Sequence, residues 1–168
     1  MKQNIRFLVH AAVIAAIYAV LTHLQNVLWP GGTTMAIQFR VSEALCVLAY
    51  FTPAAIPGLT LGCLLFNLTS GSGLPLDFLV GSLASFFAAI AMYATRNVTV
   101  KGFPALGFFM PALCNGLLVG WELSIVIGGG FWLNALYVTL GELAVLLTLG
   151  TVLYFTVKSR NLDQKLFS

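Results

Sequence analysis

The chain has 168 residues, of which 60% are hydrophobic and only 8% charged, with a formal charge of +3 and a mean hydropathy of +0.97. A soluble domain of this size needs far more charge to cover its surface, so lipid is the main solvent. The small positive balance, with no basic patch interleaved with aromatics, excludes a nucleic-acid binder. A helix needs about 20 apolar residues to cross a bilayer, so the length accommodates six or seven crossings in one transmembrane unit over residues 1–168.

The first helix is expected over 6–27. Lys2 and Arg6 followed by an apolar run resemble a signal peptide, but the run to Leu24 outlasts a typical signal core, and it is read as a span. Within it Ala11, Ala15 and Ala19 recur every four residues, with Ala12 and Ala16 alongside. Such a stripe of small residues lets two helix backbones approach closely in lipid. Packing within the bundle and docking of a partner helix both fit it, and two overlapping rows on a terminal helix tilt the reading towards a partner. His10 and His23 lie near opposite ends of this helix, too far apart to share a site.

After Trp29-Pro30-Gly31-Gly32 the second and third helices are expected at 38–51 and 54–69. Both are short, and Pro53 and Pro57 near their junction leave one kinked or re-entrant element as an alternative. Arg40 and Glu43, three apart at the start of the second helix, have the spacing of a local ion pair. Gly71-Ser72-Gly73 reads as a flexible lid. A fourth helix is expected over 76–95, with Asp77 after Pro75 placed to cap it and complement its dipole. The fifth and sixth, over 104–126 and 131–157, form a hairpin about Gly128-Gly129-Gly130. Cys46, Cys63 and Cys114 are isolated in apolar stretches and match no metal or redox spacing, so they read as buried thiols.

With the N-terminus inside, the inner segments carry Lys2, Arg6, Arg96, Lys101, Lys158, Arg160 and Lys165, and the outer side only Arg40. This positive-inside bias supports an even number of crossings and two cytoplasmic termini. Trp29, Trp121 and Trp132 then fall near the outer boundary.

A carboxylate at mid-membrane costs about 2.5–3.5 kcal/mol on insertion scales, so Glu43, Asp77, Glu122 and Glu142 each need a reason. In the last hairpin Glu122 falls near the level of Asn134, and Asn115 near that of Glu142, about 16–18 Å below the outer end. Asn115 and Glu122 share one face; Asn134, Tyr137, Gly141 and Glu142 follow a similar stripe. Two amide–carboxylate levels with few basic partners point to a ligand site rather than to mutual satisfaction. Ionised or neutral, such acids suit a ligand rich in donors, and Trp132 and Tyr137 offer flat stacking surfaces. A planar heterocycle with N–H donors fits best.

The run Ala36-Ile37-Gln38-Phe39-Arg40-Val41-Ser42-Glu43-Ala44-Leu45 resembles the queuosine-precursor transporter (QueT) family. The likeness continues through Phe51-Thr52-Pro53-Ala54-Ala55-Ile56-Pro57-Gly58, Asn115-Gly116 to Glu122, Phe131-Trp132-Leu133-Asn134-Ala135-Leu136 and Gly141-Glu142. It implies an all-α integral membrane fold, the six-helix bundle of the substrate-binding S components of energy-coupling-factor (ECF) importers, in a bacterial cell membrane. It also implies an outward-facing pocket for 7-deazaguanine precursors of queuosine, to which Arg40, Glu43, Asp77, Asn115, Glu122, Trp132, Asn134, Tyr137 and Glu142 would contribute. The alanine stripe would dock on a transmembrane coupling subunit working with two cytoplasmic ATPases. The chain has no Walker A sequence, needs no cofactor of its own, and would leave ATP to those partners. The alternatives are an S component for another vitamin-like heterocycle and a homo-oligomeric channel. A lipid-modifying enzyme is disfavoured, since no catalytic grouping shares one depth.

Overall fold

The computed structural model describes residues 2–30, 39–70, 76–100 and 103–167. The expected lid at 71–73 and the first three residues of the 36–45 motif lie outside them. Regular structure among the described residues is helical: α1 (Lys2–Leu28), α2 (Val41–Phe51), α3 (Ala55–Thr69), α4 (Asp77–Thr95), α5 (Ala105–Val126), α6 (Phe131–Ser159) and a terminal turn α7 (Leu162–Phe167). Helices α1, α4, α5 and α6 are long and apolar enough to cross a membrane; α2 and α3 are shorter.

The distribution of polarity is the reverse of a soluble protein's. Arg40, Glu43, Asp77, Asn115, Glu122 and Glu142 are buried, while Leu8, Val20, Leu68, Trp132 and Val152 are exposed. Exposed apolar surface on this scale is unsustainable in water and natural in lipid.

Two glycine seams hold helices at close range. Gly58 and Gly62 of α3 meet α1, where an added Cβ would come within 2.9 Å of the Ala11 carbonyl and 2.7 Å of the Tyr18 Cβ. In α5, Gly116 and Gly120 meet Thr139 and Ala135 of α6, and a Cβ at Gly120 would lie 2.6 Å from the Ala135 Cα. Where no hydrophobic force joins helices, this close backbone approach supplies the attraction. Helix α4 packs between the two pairs, against α3 and α5. The α5–α6 turn needs left-handed backbone at Gly128, Gly129 and Gly130 (φ 88°, 86° and 86°), which favours glycine at all three.

The short α2 sits inside the bundle, touching α1, α3, α4 and α6. Its first part, Val41–Val47, winds as a 3-10 helix before one α-helical turn, Leu48–Phe51. Helix α6 carries a π-helical turn at Leu146–Gly150, and Gly150 there lies against Val47 of α2 and Phe108 of α5. The largest core cluster gathers around these elements and includes Tyr18, Cys46, Val47, Leu59, Met92, Phe108 and Tyr154.

Candidate functional site

The winding of α2 positions the site's first residues. In a 3-10 helix side chains three apart eclipse, so Glu43 and Cys46 fall on one line, while Arg40, just before the helix, has extended backbone. The backbone entering this helix is fixed by α1. The Gln25 amide donates to the Phe39 carbonyl and accepts from the Val41 N–H at 2.7 Å, replacing the partner that extended backbone lacks. One turn further along α1, the hydroxyls of Thr22 and Ser42 stand 2.7 Å apart. A further turn on, Tyr18 donates its hydroxyl hydrogen to Glu43 Oε1. Cys46 Sγ donates to the other oxygen of the same carboxylate at 3.2 Å. Both oxygens of Glu43 therefore have donors within the chain.

Arg40 turns from Glu43 to α4, where its Nη2 stands 3.3 Å from Asp77 Oδ2 in a buried ion pair. The local Arg40–Glu43 pair expected from the spacing gives way to this longer-range one. Asn67 of α3 donates to the Asp77 backbone carbonyl at 2.8 Å. Gly81, one turn along α4, leaves room for the pair: a Cβ there would approach Asp77 Oδ1 to 2.9 Å.

Arg40, Glu43, Gly81, Asn115, Val119, Val138 and Glu142 enclose a cavity of about 10 Å³, enough for one water at most. Glu142 is 4% exposed and its Oε1 has no hydrogen-bond partner; Asn115 reaches its carboxyl. The Cys46 sulfur and one oxygen each of Glu43 and Glu142 lie within 4.8 Å of one another. A cation could use that donor set only by displacing the bonds Glu43 already accepts. Glu122 is fully buried, and neither of its oxygens has a partner. The unpartnered oxygens of Glu122 and Glu142 keep acceptor capacity whether the carboxyls are ionised or neutral, which suits a guest that brings donors.

Of the residues singled out in the sequence, Arg40, Glu43, Asn115 and Glu142 thus meet around one cavity, with Asp77 behind Arg40. The second amide–carboxylate level does not form. Asn134 instead donates to the Gly128 carbonyl at 2.8 Å and ties down the glycine turn. Trp132 is 78% exposed and Tyr137 half-buried, and neither lines the cavity.

The alanine stripe divides. Ala11 and Ala15 are 5% exposed and pressed against Gly58 and Gly62, so the partner-docking reading is corrected for these two: the bundle itself occupies them. Ala12 and Ala16 remain exposed and Ala19 half-buried.

Tyr18, Gln25 and Gly81 escaped the sequence reading, which placed Cys46 only as a buried thiol. Two signals mark the α1 residues and the seams beside them. Tyr18, Thr22 and Gln25 extend the Ala11–Ala15 face at helical spacing, and glycines four apart at 58/62 and 116/120 announce the two close seams.

The QueT transporter family matches residues 8–159 of the chain. A relative in Lactococcus lactis subsp. cremoris (strain MG1363), the queuosine precursor transporter QueT, is 36% identical over 81 residues, covering 46% of this chain and 44% of its own length. The chain therefore aligns with less than half of that relative. No solved structure matches.

Proposed function

The chain belongs to the QueT transporter family, and from that membership we propose that it is the substrate-binding S component of an ECF-type importer, capturing a 7-deazaguanine precursor of queuosine outside a bacterial cell. The observation that carries this reading is the convergence of Glu43, Asn115 and Glu142 on one buried cavity, where Glu142 Oε1 has no hydrogen-bond partner. The N1–H and 2-amino groups of a guanine-like edge present adjacent donors, which a carboxylate accepts in parallel. Arg40, held by Asp77, supplies a donor for a ring carbonyl on the opposite wall. The relative's name points to the same class of substrate.

A cavity of about 10 Å³ cannot hold a bicyclic ring. Entry of the substrate therefore requires the walls formed by α2, α4, α5 and α6 to part. Both the Arg40 and the Asp77 ends of the site follow directly on the segments that would face outside. On this reading six helices cross or enter the bilayer, α2 and α3 together filling the space of short spans, with both termini in the cytoplasm. The exposed Ala12–Ala16 row of α1 is where a transmembrane coupling subunit would dock, and ATP would be hydrolysed by two partner ATPases.

The test is equilibrium binding of preQ0, preQ1 and queuine to the purified protein, with thiamine, riboflavin and biotin as competitors. Binding of deazaguanines that the vitamins do not displace supports the proposal. A vitamin binding in their place would make this an S component of another specificity. Conductance in planar bilayers by the protein alone would make it a channel.

A further inference from the structure

Glu122 lies outside the lining of the cavity, and neither of its oxygens accepts a hydrogen bond within the fold. It is fully buried on α5, and both its oxygens lack a hydrogen-bond partner. A carboxyl group left without partners in a protein interior is costly, and nothing that Glu122 touches within the chain offsets that cost. Along α5 it follows Asn115 by seven residues, two helical turns or about 10 Å. Val119, which lines the cavity, lies between them. The site therefore has two stations on one helix face: Asn115 with Glu142 at the cavity, and Glu122 beyond Val119.

The charges near the outer station are uneven. Glu122 lies within electrostatic range of both Asp77 and Arg40. The Arg40 guanidinium is engaged by the Asp77 carboxylate at 3.3 Å, so the pair offers Glu122 no net charge. A 7-deazaguanine whose N1–H and 2-amino edge met Glu142 would carry its C7 substituent on the far side of the bicycle, and with the ring lying along α5 that substituent would approach Glu122. Three chemistries are then distinguishable. A carboxylate arm would set a second acid group against Glu122. A nitrile would bring no donor, so at most one of the two oxygens would find a partner. A protonated amine would bring both N–H donors and the opposite charge.

We propose that Glu122 is a specificity residue that reads the C7 arm of the substrate and selects 7-deazaguanines whose arm carries a protonated amine. The inference rests on the substrate reading above and adds to it a ranking and a residue. Val119, between the stations, is the side chain the arm must pass, and the widening that admits the ring also opens the way to Glu122.

The experiment measures dissociation constants of 7-aminomethyl-, 7-cyano- and 7-carboxy-7-deazaguanine for the wild-type protein and for Glu122→Gln. A fourth probe, the N-acetylated 7-aminomethyl compound, keeps an arm N–H and removes the charge. For the wild type the aminomethyl compound should bind at least about tenfold more tightly than the cyano compound, with the carboxy compound weakest. Acetylation should remove most of that advantage. In Glu122→Gln the aminomethyl-to-cyano ratio should collapse to within about threefold, through loss of affinity for the aminomethyl compound alone. Equal binding of the cyano and aminomethyl compounds by the wild type would overturn the inference, as would an unchanged ratio in Glu122→Gln. The wild-type ratio and the acetylated probe decide the matter even if the variant fails to fold. Failure of all four compounds to bind would instead overturn the substrate reading, and the selectivity claim with it.

Discussion

Replacing Glu142 by Gln separates a ligand contact from a structural one. The substitution keeps the size of the side chain and one carbonyl acceptor, and it removes the charge and turns one oxygen into a donor. Within the chain Glu142 Oε1 has no partner, and the Asn115 amide that reaches the carboxyl can be met by the carbonyl that remains. A substrate donor facing this oxygen loses a charge-assisted hydrogen bond of about 1.5–3 kcal/mol. At about 1.4 kcal/mol per decade the dissociation constant rises about 10- to 150-fold. The assay is titration calorimetry on purified Glu142→Gln with a deazaguanine that the wild type binds, paired with a melting curve in the same detergent. Affinity should fall as stated while the melting temperature stays level or rises. Binding within about threefold of wild type would refute the placement of Glu142 against the substrate.

The neighbouring carboxylates respond differently. Glu43→Gln leaves the Tyr18 hydroxyl and Cys46 thiol facing an amide, and should lower stability by about 1–3 kcal/mol, read as an earlier melt. Asp77→Ala strands a buried guanidinium and should cost about 3–5 kcal/mol, enough to reduce the yield of folded protein visibly on size exclusion. Gly120→Ala drives a methyl into the Ala135 backbone and should cost about 1–3 kcal/mol in thermal unfolding; an unchanged melt would show that α5 and α6 separate freely. On α1, Ala15→Leu should destabilise the protein by itself. Ala16→Leu, on the exposed side, should spare folding and ligand binding and impair uptake by the assembled importer. Normal uptake by Ala16→Leu would remove α1 as the docking face.

The apolar composition and the Pro and Gly punctuation made the helical, membrane-like character of the chain readable, because lipid imposes a length and a hydropathy that few other constraints mimic. The carboxylates and amides stood out for the same reason, since each is conspicuous against an oily background. Partner choice was less legible. Arg40 has Glu43 three residues away, yet it reaches Asp77, thirty-seven residues on, because Arg40 sits in extended backbone ahead of the helix while Glu43, inside it, is held by Cys46 and Tyr18. Asn134 lies near the level of Glu122, yet its amide is spent on the Gly128 carbonyl of the turn. The burial of Ala11 and Ala15 depends on Gly58 and Gly62, whose four-residue spacing matches that of the alanines.

The tight winding of Val41–Val47 has a mechanical consequence. Three residues complete a full turn there, whereas in ordinary α winding they complete about 300°, and the rise falls from about 2.0 to 1.5 Å per residue. Slackening this one segment would swing Cys46 about 60° away from Glu43 and shorten the segment by about 3.5 Å, drawing on the chain at both ends. A seven-residue coil at the centre of the bundle is thus a screw thread, converting a change in pitch into rotation of the residues that face the cavity.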